Sequence, residues 1–411
     1  MRSFVAAMAL GIPGVAQAQL ALSGDPAARV AWVRTFASPG DDWINDIVPI
    51  DGERWLAVGY LDRGEETDWR ALAVELRADG TVLSRREYGA GGGIDAFWTA
   101  KQAADGGFVL AGFTTRIGAG GINGYALFTD AAGAIRKENG FGGDGYDRFT
   151  GLAEAPDGYV FAGHSQHAGE ASKRRIYLVA TDRNGAVRWE RVIEGPESLA
   201  GLYVEPAGDG GFIVAGGIGR GEGEAADSDI LVIKTDAEGR ELWRRTIGTP
   251  HADDVNHGLA VLANGNIVVT GYSKSWGARD NGVLAATLSP SGEILRLAML
   301  DGSGDDRPIL AKADAAGRVW IAGYTKSAGA GGWDMLMARL GSDGRFEPGV
   351  LTLGGAGDDN GTAIRALPDG SFLVAGYCVN LGPGSEDAFI ARIDGAAFSR
   401  PNPAFERRIV P

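Results

Sequence analysis

Seven short apolar runs, each closing on glycine plus one residue, recur along the chain: LAVGY, VLAGF, VFAGH, IVAGG, VVTGY, WIAGY and LVAGY. Their glycines are Gly59, Gly112, Gly163, Gly216, Gly271, Gly323 and Gly376, spaced by 53, 51, 53, 55, 52 and 53 residues. A period this regular outranks local propensity. It means one supersecondary unit is repeated, and each copy must bury its faces against its neighbours.

The clearest copy runs from Asp209 to Asp254. Each copy opens with a Gly/Asp turn, as in GDDWINDI or GDDNGTAI, followed by a modestly apolar strand. A tight turn such as Asp105-Gly106, Asp157-Gly158 or Asp369-Gly370 leads into the glycine-terminated run. Asp-Gly between apolar runs is a hairpin signal, because glycine adopts positive φ at little cost. A loop of roughly ten residues precedes a third strand such as DILVIKTD (Asp229 to Asp236), and a second turn leads to a fourth such as LWRRTIG. Runs like IVAG and ILVI are apolar on successive residues and predict burial on both faces, whereas the fourth strand mixes Trp243 with Arg244 and Arg245 and should be wetter.

These features predict an all-β fold, a seven-bladed β-propeller of four-stranded antiparallel blades. RVAWVRTFASPGDD (Arg29 to Asp42) matches the fourth-strand segment ELWRRTIGTPHADD, and the last copy ends after a third strand, FIARIDGAAF. The amino-terminal strand is therefore expected to complete the last blade, closing the ring and removing its open edges. The expected limits are a signal peptide at 1–18, the propeller at 29–395 and a carboxy-terminal tail at 396–411. Residues 1–18 carry Arg2, an apolar stretch from Phe4 to Val15 too short to span a bilayer, and an Ala16-Gln17-Ala18 cleavage site, so export to the periplasm or medium is expected.

The pattern DGGFxxAG…DxLxxxDxxGxxxWxxxG resembles a broad group of bacterial secreted β-propeller repeats and covers nearly the whole chain after residue 18. That resemblance implies the fold and a binding role. KTDAEGRELW (Lys234 to Trp243) is similar to the tryptophan docking motif of quinoprotein dehydrogenases, which implies a residue that packs blades together. Those enzymes use eight blades, a quinone and calcium; this chain has seven copies and a single cysteine, Cys378, hence no vicinal pair.

The net charge is −14, and loss of Arg2 with the leader makes it −15, with basic residues scattered. That excludes nucleic acid as the expected partner, since phosphate binding needs a positive surface. One cysteine allows no internal disulfide, so an exported fold must rely on burial.

Loops joining fourth to first and second to third strands share one face of a propeller, usually the binding face. An aspartate opens the first strand in six copies: Asp42, Asp95, Asp147, Asp254, Asp306 and Asp359, with Ser198 in the fourth. A ring of carboxylates suits Ca²⁺, but a residue repeated in nearly every copy also reads as a turn cap. A second series, Asp68, Asp229, Asp280, Asp334 and Asp387, precedes the third strand and reads the same way. Departures from the repeat are the better candidates for a site. His164, His167, Arg174 and Arg175 fall in the third copy's long loop, and His251 and His257 flank the fifth copy's opening turn. Solvated loop histidines are the plain reading; metal or anion binding is the sharper one. Trp43 and Trp276 stand where stacking on a sugar or gripping a protein loop is as plausible as packing; Trp98, Trp189, Trp243 and Trp320 read as packing between blades. No GxSxG elbow occurs. Two readings stay open: a non-catalytic binder of polysaccharide or of an envelope or extracellular protein, and a carbohydrate-active hydrolase or lyase using acidic residues at the channel mouth with His164 or His257 as base.

Overall fold

The computed structural model describes residues 20–65, 68–89, 92–166, 173–220, 227–249, 254–379, 381–395 and 398–411, with backbone alone at 220, 227 and 254–256. The expected leader at 1–18, His167 and His251 lie outside the described residues, as does the side chain of Asp254. Every described element is a strand, and the strands form sheets built on a four-strand antiparallel pattern, two of which a short parallel pairing of Asp68 and Trp69 with Gly93 and Ile94 joins. Among the described residues no helix is long and apolar enough to cross a membrane.

Burial follows the apolar runs. Phe108–Thr114 and Asn123–Thr129, second and third strands of one sheet, are buried throughout. Fourth strands such as Val82–Tyr88 and Glu241–Ile247 are largely exposed and end on one buried residue. Both faces of the middle strands therefore lie between neighbouring sheets, where each fully buried Leu or Ile contributes about 1.5–3 kcal/mol.

The repeated glycine has a specific cause. Each opening strand carries a register irregularity facing it, with Ile44 opposite Gly59 but Asp46 opposite Val58, and Gly361 opposite Gly376 but Ala363 opposite Ala375. The bulge pushes an opening-strand carbonyl onto the glycine. A Cβ on Gly59 would lie 1.8 Å from the Trp43 carbonyl oxygen, and one on Gly163 would lie 1.7 Å from that of Arg148. No side chain fits there.

The sheets dock through their turns. In the Asp182 to Ala186 turn, Asp182 Oδ1 accepts from the Asn184 and Ala186 amides, and Gly185 takes φ +78°. The fourth strand of the preceding sheet holds the carbonyl of that glycine: Asn139 Nδ2 donates to Gly185 O at 3.0 Å, Arg34 Nε to Gly80 O at 2.9 Å and Arg245 Nε to Gly292 O at 3.0 Å. Tryptophans fill the space above. A Cβ on Gly239 would lie 2.7 Å from the Trp189 ring, and one on Gly292 would lie 3.0 Å from the ring of Trp243, the tryptophan of KTDAEGRELW.

Arg29–Phe36 pairs antiparallel with Asp387–Asp394, so the first long strand lies in the sheet of the last repeat. Two further strands fall outside the expected 29–395 unit. Ala21–Ser23 pairs with Leu351–Gly354, and Glu406–Val410 pairs with Ile294–Asp301. The segment read as a tail is thus partly a strand, and Phe398 within it is fully buried against Trp320 and Phe372. Its alternating ERRIV sequence belongs to no repeat. It is held by the outer edge it covers and by Asn402 Nδ2, which donates to Val350 O at 3.1 Å.

Candidate functional site

The opening strands converge on one cavity of about 780 Å³. They are Asp42–Pro49, Gly93–Gln102, Arg148–Ala155, Ser198–Pro206, Asp254–Val261, Asp306–Ala313 and Asp359–Ala366. Every bulge sends a residue to its wall: Asn45, Trp98, Thr150, Leu202, His257, Ile309 and Thr362. Some of these also stitch one strand to the next. Asn45 Nδ2 donates to Phe97 O at 2.8 Å, Thr150 Oγ1 to Leu202 O at 2.7 Å and Thr362 Oγ1 to Ile44 O. Trp98, expected to pack between blades, packs against Tyr60 of the preceding repeat and Phe113 of its own, and as a bulge residue it also reaches the cavity wall.

The residue after each repeated glycine carries a second feature. It is Tyr60, Phe113, His164, Gly217, Tyr272, Tyr324 and Tyr377 in turn, and its cross-strand partners include Trp43, Arg148, Ala200, Arg307 and Asn360. On one side the rings form a continuous shelf. Trp69 stacks on Tyr60 at 4.7 Å and 4°, Tyr60 on Trp43 at 5.9 Å, and Trp43 on Tyr377 at 4.5 Å. Trp43 Nε1 donates to Glu386 Oε2 at 2.6 Å. Farther round, the Arg307 guanidinium lies 4.7 Å over Tyr272 and 5.6 Å over Trp333, and is held by Asp305 at 2.6 Å. The ring series was visible in the last letter of every repeated run but the fourth, though periodicity alone did not show that these rings meet.

The opening aspartates are engaged by their own turns. Asp42 accepts from the Ser38 and Asp62 amides, Asp147 from the Gly143 amide, Asp359 from the Gly355 amide, and Asp306 from the Gly302 amide and the Thr325 and Ser327 hydroxyls. Asp95 pairs with Arg116 Nε at 2.7 Å. Burial pushes the Asp42 carboxyl up to about 6 and that of Asp306 up to about 7. Among the described residues no three His, Cys, Asp or Glu side chains gather in a group able to hold a metal ion.

The remaining candidates are scattered. Trp276 sits in a turn at φ 52° and packs against the apolar cluster of Ile247, Val269 and Met299, apart from the shelf. Cys378 is buried beside Asp359, and burial raises its thiol well above the ordinary value, so it is an inert thiol. Arg175 pairs with Glu194 at 2.9 Å, whereas Arg174 reaches the cavity wall.

His164 and His257 are not solvated loop residues. His257 lies in the strand Asp254–Val261, lines the cavity and stacks on Tyr272 at 5.6 Å; burial lowers its pKa to about 4. His164 lies in the strand Gly158–Ser165 with 0% exposure, stacks on Tyr146 at 5.6 Å, and neither ring nitrogen has a hydrogen-bond partner among the described residues. Burial first, then the charges of Arg148 and Arg174, drive its pKa down to about 2. Its place is set by strand register, not by the Gly/Ser-rich residues that follow it.

A measurable consequence follows. Below pH 6.5 the unfolded chain protonates His164 and the folded chain does not, so this residue's share of stability falls as pH falls. Asp42 and Asp306 act with the opposite sign, being raised in the folded state, but they are common to parent and variant. Urea unfolding of His164→Phe, which installs the residue type of Phe113, should show the variant gaining about 2 kcal/mol on the parent between pH 7.5 and pH 5. An equal difference at both pH values would show that His164 is accessible to protons.

No protein-family model matches the chain, and no curated protein matches it. Solved structures do resemble it. Sqt1 from Chaetomium thermophilum is 13% identical with a TM-score of 0.46, over 87% of this chain and 83% of that one. PorZ, a surface component of the type-IX secretion system of Porphyromonas gingivalis, is 12% identical with a TM-score of 0.47, over 86% of this chain and 47% of that one. Prolyl oligopeptidase B from Galerina marginata is 11% identical with a TM-score of 0.45, over 92% of this chain and 51% of that one. The chain spans about half the length of the latter two.

Proposed function

We propose that the chain is an exported, non-catalytic, seven-bladed β-propeller, closed by Arg29–Phe36 in the last blade, that binds a polysaccharide through its channel mouth. Closure is supported by the pairing of Arg29–Phe36 with Asp387–Asp394 and by the gathering of opening strands from every repeat around one cavity. The observation that carries the binding reading is the shelf Trp69–Tyr60–Trp43–Tyr377. Trp43 and Tyr377 bring this shelf to the cavity wall, and rings with polar groups at their rim, here Glu386 and Asn360, match the apolar faces and equatorial hydroxyls of sugars. A loop of an envelope protein is the other occupant such a surface accepts.

The test is a glycan array, with a parallel polysaccharide-degradation screen, on residues 19–411 and on Trp43→Ala. Binding without turnover, weakened about tenfold or more by Trp43→Ala, is expected. Undiminished binding by the variant would sink the shelf as the site. One observation favours the hydrolase reading: burial, then Asp41 and Asp358, raise the Glu386 carboxyl beside Trp43, as a general acid needs. New reducing ends or unsaturated products, lost in Glu386→Gln, would establish that reading instead.

A further inference from the structure

We propose that the cavity wall between the third and fourth repeats is an anion site, built to take the carboxylate or sulfate of an acidic sugar on Arg148 and Arg174. This rests on the glycan-binding reading and adds the charge class of the ligand. Three lysine and arginine side chains line the cavity. Lys312 is neutralised by Glu205 at 2.6 Å, whereas Arg148 and Arg174 have no carboxylate partner among the described residues. In a chain with 53 acidic residues against 39 basic ones, two neighbouring guanidinium groups with no carboxylate partner among the described residues are unusual.

Their surroundings depart from the repeat in the same direction. The fourth repeat's opening position, an aspartate in the others, is Ser198; it lines the cavity, and its Oγ accepts from the Arg174 amide at 3.0 Å. The carboxylate that this position supplies elsewhere, as Asp95 does for Arg116, is therefore absent. The position after the repeated glycine is Gly217 opposite Ala200, so no ring fills the wall there. Opposite Arg148 stands His164, a ring that burial keeps neutral.

Arg148 is held for such a task. Its guanidinium lies 5.5 Å from the Trp98 ring and 5.8 Å from that of Tyr146, Nη1 donates to the Tyr146 hydroxyl at 3.5 Å, and Nε is buried without a partner among the described residues. Aromatic faces fix the plane of the guanidinium fork without spending its donors. A planar oxyanion would take those donors in charge-assisted hydrogen bonds and relieve the mutual repulsion of the two cations. The gap left by Ala200 and Gly217 gives room for the sugar ring that carries it.

The experiment is calorimetric titration of residues 19–411 with an oligogalacturonate, its neutral methyl ester and a sulfated oligosaccharide, plus thermal shift with free glucuronate and with glucose. A charged oligomer should bind at least tenfold more tightly than the ester, with affinity falling as salt rises. Arg174→Gln and Arg148→Gln should each remove about tenfold to a hundredfold of that affinity, with the neutral oligomer unaffected. Preference between the carboxylated and sulfated oligomers identifies the oxyanion. Glucuronate should raise Tm in the parent and not in the variants, while glucose does neither. Arg174 is exposed, so its replacement keeps the fold even if that of Arg148 does not. Equal binding of ester and acid, or full affinity in Arg174→Gln, overturns the anion site and leaves the shelf reading intact. Failure of every oligomer, with the glucuronate shift retained and dependent on the arginines, overturns the polysaccharide reading and leaves the anion site.

Discussion

Gly376→Ala is expected to destabilise the protein by about 3 kcal/mol or more, while Gly52→Ala stays within about 0.5 kcal/mol of the parent. A Cβ on Gly376 would lie 1.8 Å from the Asn360 carbonyl oxygen, 2.9 Å from its carbon and 3.2 Å from Gly361 Cα. All three are backbone atoms of the bulged opening strand, so no side chain can swing away. Relief requires the hairpin to part, which loosens a strand buried on both faces, Phe372–Cys378. Gly52 meets nothing within 4 Å, so it controls for the loss of glycine itself. Urea unfolding compares the two, and Gly59, Gly112, Gly163 and Gly216 should behave like Gly376, since each would place a Cβ 1.7–1.8 Å from a carbonyl oxygen. If Gly376→Ala proved as stable as Gly52→Ala, the close approach would not be what retains glycine in these runs.

The same glycine marks where sequence reasoning succeeded and where it stopped. Its period exposed the repeat, and the apolar runs around it located the strands buried on both faces. The reason for the glycine lies in the opposite strand, whose bulge has no signature of its own: the bulged residues range from Asn45, Thr150 and Thr362 through Trp98 and His257 to Leu202 and Ile309. That is why Trp98 read as packing alone and its place in the cavity wall stayed hidden. The loop reading of His164 failed for a related reason. His164 precedes a Gly/Ser-rich stretch and reads as loop, yet hairpin register carries the strand through Ser165. Glu406–Val410 was illegible because an edge strand outside the repeat obeys no period and pairs with a surface that only the assembled sheets create. The site followed the same logic. Ser198 and Arg174 were legible as departures from the repeat, but Arg148, at a position where the other copies vary, acquires meaning only once Ser198, Gly217 and His164 surround it.

Asp46→Ala should cost about 3–5 kcal/mol, because it strips a buried charge of its partner at the seam between first and last repeats. Asp46 is 4% exposed and pairs with Arg365 of the strand Asp359–Ala366, while its second oxygen accepts from Thr99 Oγ1 at 2.8 Å. One carboxylate thus ties three opening strands, and without it the Arg365 guanidinium remains half-desolvated beside the chain of charges formed by Lys101, Glu205 and Lys312. Replacing both partners tests whether the loss is charge or shape. Asp46→Ala with Arg365→Met removes the stranded cation and keeps its length, so the double variant should recover part of the loss and show a coupling of about 1–3 kcal/mol. The seam holds other bonds, including Asp42 N to Glu386 O at 2.8 Å and Thr362 Oγ1 to Ile44 O. The proposed ring should therefore stay folded in Asp46→Ala, with lowered stability and the shelf intact. If the variant unfolded at the same urea concentration as the parent, the Asp46–Arg365 pair would be an ornament of the seam, and the proposed closure would rest on the pairing of Arg29–Phe36 with Asp387–Asp394 and on these other bonds.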